Sequence, residues 1–184
     1  MKLFILNIDM SKNIPIIVLG PSGAGKSTLV GQLSGDPSVT IAQTVTTRPQ
    51  RVNVADTDRR FVSDVEFDEL ESQGLFQILV PFAGHRYGFL APQDPTSKLI
   101  IIYKVQGLSI LADLYEDFRV VAVEAPIEVL KQRLAVRGTP ERFHESMLLK
   151  EMAMGRTAAD LVIDMTKPLD ECVSKLKLFI NKNN

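Results

Sequence analysis

Residues 14–28 read IPIIVLGPSGAGKST. The first half is a continuous apolar, β-branched run ending in glycine, the pattern of a strand buried on both faces of a parallel sheet. The second half satisfies G-x-x-x-x-G-K-[ST] through Gly20, Gly25, Lys26 and Ser27. Such a loop curls its backbone N–H groups around phosphate oxygens, and the helix signalled by STLVGQL points its positive end at them. Gly20, Ser22, Gly23, Ala24, Gly25 and Thr28 therefore form the candidate cradle for a nucleoside triphosphate. Lys26 reaches the outer phosphates, and Ser27 is the candidate ligand for Mg²⁺.

Two later runs repeat the buried-strand pattern, KLIIIYK at 98–104 and FRVVAVEA at 118–125, and LVIDM at 161–165 is a candidate last strand. Helical patterns alternate with them. VLKQRLAVRG at 129–138 closes on a glycine at C′, and Pro168 suits the first turn of a closing helix. Strands alternating with helices predict a three-layer α/β domain on a parallel sheet.

Residues 39–92 break that rhythm. RRFVS, LFQILVPF and HRYGFL are short extended pieces around one helix, whose start is marked by the capping-box pattern Ser63-Asp64-Val65-Glu66. The expectation is one domain over residues 1–184, with a core of 14–38 and 93–184, a small mostly β acceptor-binding lobe at about 39–92 and a short lid at about 137–147. Residues before Ile14 fit either a short strand or a loose extension.

The 184-residue composition, 45% hydrophobic and 23% charged with formal net charge −1, gives no reason to expect nucleic-acid or membrane binding. A single cysteine, Cys172, excludes an internal disulfide framework and a Cys-rich metal site. MKLFILNIDM holds a four-residue apolar run, too short for a signal or a membrane span, so a cytoplasmic protein is expected.

TVTTRPQR at 44–51 sets Arg48 and Arg51 beside several threonines, and two guanidinium groups so spaced can cradle a phosphate. The order GPSGAGKSTL, TTRxxR, FVSxxEF at 61–67, G-x-x-Y-G at 84–88, QG at 106–107 and RLxxRGT at 133–139 resembles the guanylate kinase-like family, from about Ile14 to about Ile180. The resemblance implies a P-loop kinase fold and an ATP- and Mg²⁺-dependent transfer to a small phosphorylated acceptor, GMP by default. It implies Arg48, Arg51 and Tyr87 as ligands of the acceptor phosphate and Thr44 as a hydroxyl near the base. It also implies Arg133 and Arg137, with Lys26, as cations that stabilise the transferring phosphoryl group.

The departures from the family pattern concentrate on base reading. Ile78 stands where the family has the glutamate that reads guanine, Phe89 where a serine follows the Y-G pair, and Lys104 and Ile102 where aspartates precede Q-G. Arg59 or Arg60 replaces a tyrosine, and a lid arginine is replaced by Leu148. A site lacking a base's polar partner loses orders of magnitude in selectivity. The extra cations suit an acceptor richer in phosphate, as in relatives that phosphorylate ribose 1,5-bisphosphate. A non-catalytic binding module is the rival class, and the intact P-loop argues against it.

Overall fold

The computed structural model describes residues 14–50, 59–82, 84–90, 96–113 and 115–183. Arg51 and residues 1–13 lie outside the described residues. The chain divides into two compact units, one holding residues 42–95 and the other residues 10–41 and 96–184.

The larger unit is built on five parallel strands in the order β2-β7-β1-β8-β9. β1 (Ile16–Leu19) is central because all four of its side chains are fully buried, which only a strand covered on both faces allows. It pairs with β7 (Lys98–Ile102) through Ile16↔Ile100 and with β8 (Arg119–Glu124) through Ile17↔Val120. β9 (Leu161–Asp164) flanks β8, and β2 (Val39–Ile41) is the far edge, Val39 opposite Lys98. Val39–Ile41, expected in the small lobe, thus belongs to the large sheet.

The core is filled from α1 (Lys26–Gly31) by Leu29 and Val30 and from α4 (Ile127–Val136) by Leu130 and Leu134. α5 (Glu145–Ala158) contributes Leu148, and α6 (Leu169–Lys182) contributes Cys172, Leu176 and Ile180 at i, i+4 and i+8. Each such side chain contributes about 1.5–3 kcal/mol by leaving water. Pro168 sits one residue before the first turn, as the N-cap of α6. The remaining short helix of this unit is α3 (Leu108–Ala112). Among the described residues no helix is long and apolar enough to cross a membrane.

The smaller unit carries a mixed sheet, β4-β3-β6-β5. β3 (Thr44–Thr46) runs parallel to β4 (Arg59–Phe61) and antiparallel to β6 (His85–Leu90), which pairs with β5 (Phe76–Phe82). α2 (Asp64–Ser72) starts at the expected capping box. Ser63 Oγ accepts from the Glu66 N–H at 3.2 Å while the Ser63 N–H donates to Glu66 Oε2 at 2.8 Å. Phe67 of α2 stacks on Phe76 with centroids 4.6 Å apart, and Val45, Leu79 and Leu90 join that cluster.

Candidate phosphoryl-transfer site

In the larger unit the chain leaves β1 through Gly20 at φ 148°. A Cβ there would stand 2.1 Å from the Val123 carbonyl oxygen of β8, so only glycine lets the loop depart alongside that strand. Gly25, left-handed at φ 103°, is the N-cap of α1 and turns the loop into the helix. Ala24 between them is fully buried and anchors the loop to the core, whereas Ser22 and Ser27 are half-buried and Thr28 is exposed. The Lys26 ammonium donates to the carbonyls of Gly20 at 2.7 Å and Pro21 at 3.0 Å, which holds it over the loop's own backbone.

Arg133 is half-buried on α4 and reaches the same loop. Its Nη1 donates to the Ala24 carbonyl at 3.3 Å, and its Nη2 donates to the Met165 carbonyl, just past β9, at 2.8 Å. Arg137, one turn on, is the exposed C-cap of the helix. The i, i+4 pair is therefore split between two environments, one guanidinium bracing the P-loop and one at the helix end. The segment expected as a lid, about 137–147, runs from the C-cap of α4 through Gly138 at φ 71° and buried Thr139, passes through a 3₁₀ turn at Pro140–Arg142 and enters α5. Leu148, where the family pattern has an arginine, is 1% exposed and belongs to the core.

The carboxyl ends of β1, β7, β8 and β9 share one edge of the sheet, where ligands of α/β proteins bind. Lys104, exposed two residues past β7, precedes a 3₁₀ turn (Val105–Gly107) whose Gln106 Nε2 donates to Glu151 of α5 at 2.9 Å. At the end of β8, Glu124 forms a two-pronged pair with Arg156 at 2.5 and 2.8 Å. At the end of β9, Asp164 Oδ1 accepts from the Thr166 N–H at 2.9 Å and hydroxyl at 2.8 Å, and these bonds hold its carboxyl below the ordinary 3.8. Both carboxylates at this edge are thus engaged, and among the described residues no three His, Cys, Asp or Glu gather as a metal site.

In the smaller unit the pairing register sorts the strand-borne acceptor candidates, Thr44 and Tyr87, to a face. Directly opposed residues point to the same side of a sheet. Thr44 stands opposite Phe89 and Arg59, Thr46 opposite Tyr87 and Phe61, and Ile78 opposite Phe89. These seven side chains therefore share one face. The other face holds Val45, Leu79 and Leu90 against α2. Arg86 is on that second side, its guanidinium 4.2 Å from the Phe67 ring centroid, paired with Asp68 at 2.6 Å and with Glu71.

The Arg48 backbone N–H donates to Thr46 Oγ1 at 3.1 Å, and its guanidinium lies 5.3 Å from the Phe61 ring centroid, which places it with the Thr46 face. A β-bulge between Phe76 and Ile78 sets the register of β5. It puts Ile78, 1% exposed, opposite Phe89, 5% exposed, with Gln77 the extra residue. The position expected to match the guanine-reading glutamate of the family is thus half of a buried apolar pair. Arg59, which sequence reasoning could not separate from Arg60, is on the Thr44 face, and Arg60 pairs with Val45 on the other.

No family model matches the chain. A guanylate kinase of Thermobifida fusca is 33% identical over 170 residues, 86% of this chain and 84% of that one. A ribose 1,5-bisphosphate phosphokinase PhnN of Methylobacterium radiotolerans is 31% identical over 173 residues, 88% of this chain and 93% of that one. Among solved structures, guanylate kinase from Anaplasma phagocytophilum matches with a TM-score of 0.63 over 92% of this chain and 85% of that chain, at 20% identity, which shows the fold. The relatives of more than 30% identity, covered over more than four fifths of this chain, show a kinase. The chain belongs to the guanylate kinase-like family, with guanylate kinases and PhnN-type enzymes at similar identity.

Proposed function

We propose that the protein transfers the γ-phosphoryl group of MgATP, in the cytoplasm, to a phosphorylated sugar of the ribose 1,5-bisphosphate kind rather than to GMP. A phosphate oxygen of the acceptor attacks the γ-phosphorus as the bond to ADP breaks, and a phosphate dianion needs no general base. The Gly20–Gly25 backbone holds the triphosphate, Lys26 and Arg137 offset the charge on the transferring group, and Arg133 fixes the loop. Mg²⁺ carried on the nucleotide would lower the charge of its phosphates, and the Ser27 hydroxyl would be the protein group that holds it. Arg48, Arg51 and Tyr87 hold the acceptor's phosphate.

The observation that carries the choice of acceptor is the Ile78–Phe89 pair. Guanine presents N1 and N2 donors, and a buried apolar pair leaves them without an acceptor, at a cost of about 1–3 kcal/mol for each unsatisfied group. A guanylate reading retains the support of Thr44, whose hydroxyl lies on the same face, and of the Thermobifida fusca relative.

ADP release from MgATP, measured against GMP, dGMP, AMP, UMP, CMP, dTMP and ribose 1,5-bisphosphate, tests the proposal. Turnover confined to the bisphosphate is expected, and GMP as the preferred acceptor would overturn it. Arg48→Ala is expected to abolish acceptor turnover while ATP binding is retained.

A further inference from the structure

We infer that Thr47 is a positioning residue of the acceptor site, its hydroxyl acting with that of Thr46 to release the chain from the sheet where Arg48 begins. The inference rests on the proposed role of Arg48 as a ligand of the acceptor phosphate, and it holds for a sugar or a nucleotide acceptor alike.

Three observations carry it. First, the β3–β6 ladder ends on a side chain. Beyond Thr46↔Tyr87 the next pair is Thr47 opposite Arg86. The Thr47 N–H donates to the Arg86 carbonyl at 3.1 Å, as a hydrogen-bonded antiparallel pair requires. In a continuing ladder the return bond runs from the Arg86 N–H to the Thr47 carbonyl, but here it runs to Thr47 Oγ1, at 3.1 Å. The hydroxyl stands in for the backbone acceptor, which releases the Thr47 carbonyl from that bond and lets the chain turn.

Second, the other side of β3 ends in the same way. The Val62 N–H donates to the Thr46 carbonyl at 3.1 Å, and a continuing parallel ladder would take the Arg48 N–H to the Val62 carbonyl. That N–H goes to Thr46 Oγ1 instead, at 3.1 Å. This is the turn that a threonine hydroxyl offers the backbone two residues on. Two adjacent hydroxyls therefore detach β3 from both neighbours at one step, immediately before Arg48.

Third, the residue that Thr47 grips is itself braced. The Arg86 guanidinium lies 4.2 Å from the Phe67 ring centroid and pairs with Asp68 and Glu71 of α2. The turn is thus fixed from the helix-backed side of the sheet. Arg48 emerges on the opposite side, its guanidinium 5.3 Å from the Phe61 ring centroid.

The test is steady-state kinetics of the full-length protein and of Thr47→Val, Thr47→Ser and Arg48→Ala, with MgATP and with ribose 1,5-bisphosphate or GMP as acceptor. Valine keeps the shape of threonine, removes the hydroxyl and favours a strand, so Thr47→Val should extend the ladder without loosening the fold. The expected result is an acceptor KM raised about tenfold or more, with the KM for ATP unchanged and the melting temperature equal to or above the parent's. Thr47→Ser, which keeps the oxygen, should stay within about twofold of the parent.

A melting temperature that falls in step with activity would give the hydroxyl a structural role only and overturn the inference. So would an unchanged acceptor KM in Thr47→Val while Arg48→Ala abolishes turnover, a result that leaves the acceptor site as read. A parent protein silent with both acceptors, or an Arg48→Ala variant as active as the parent, would sink that reading and the inference with it.

Discussion

The Nη2 of Arg133 donates to the backbone carbonyl of Met165 at 2.8 Å, and through Nη1 the same guanidinium holds Ala24 of the P-loop. One side chain therefore ties the loop after β1 to the loop after β9. Hydrogen bonds from a charged donor contribute about 1.5–3 kcal/mol each. Arg133→Ala is expected to raise the KM for ATP by tenfold or more, and Arg133→Lys, with a single ammonium for two widely placed carbonyls, to recover little of it. Steady-state kinetics with varied ATP decides. A lowered kcat at unchanged KM would instead put the guanidinium on the transferring phosphate.

Gly88 lies under a ring. A Cβ at that position would meet Phe76 Cδ1 at 2.4 Å, and Phe76 is itself 2% exposed and stacked on Phe67. Gly88→Ala is expected to destabilise the smaller unit by about 1–3 kcal/mol, the usual cost of overpacking. Limited proteolysis should show earlier cleavage within residues 42–95, and equilibrium ATP binding should be unchanged. Equal loss in both assays would contradict the division of labour.

Ile78→Glu introduces a carboxylate opposite Phe89, at the position that the sequence order matches to the family's base-reading glutamate. If that register is the one that meets a base, kcat/KM for GMP rises at least about tenfold and that for AMP does not. An unchanged GMP rate in a folded variant would place base reading elsewhere on the sheet.

The acid limb of stability has a local origin. The Ser63 N–H and hydroxyl donate to the Glu66 carboxylate at 2.8 and 2.9 Å, and these bonds hold it below its ordinary 4.5. A carboxyl lowered in the folded state adds stability that is complete above pH 4.5 and is lost as pH falls through its native value. Asp164, lowered by Thr166, behaves alike in the larger unit. Ser63→Ala removes one of the two bonds, so its melting temperature should trail the parent's most near neutrality, and the gap should narrow below about pH 4. A gap independent of pH would assign the whole effect to the cap itself.

Much of the larger unit could be read from the chain because its strands are continuous apolar runs and its loop is a fixed motif. IPIIVLG, KLIIIYK and FRVVAVEA each become parallel strands, and no other placement buries residues such as Ile16, Ile17, Val18 and Leu19 together. The capping box at Ser63 was equally legible, being wholly local. Three features were not. Val39–Ile41 is three half-buried residues long, so only its partner β7 assigns it to the large sheet. FQILVPF lacks alternation, and the bulge that puts Ile78 rather than Gln77 opposite Phe89 is fixed by β6. Leu148 reads as a missing cation in an alignment, yet its burial against the core follows from how α5 packs.

Arg86 is the strap between the smaller sheet and its acidic helix, seated on the Phe67 ring and paired with Asp68 and Glu71. That strap is partly exposed and ionic, so it is a brine-sensitive fastening: the smaller unit should loosen as the ionic strength passes about 0.1 M, where the Debye length shrinks to about 10 Å, while the apolar core of the larger unit should not.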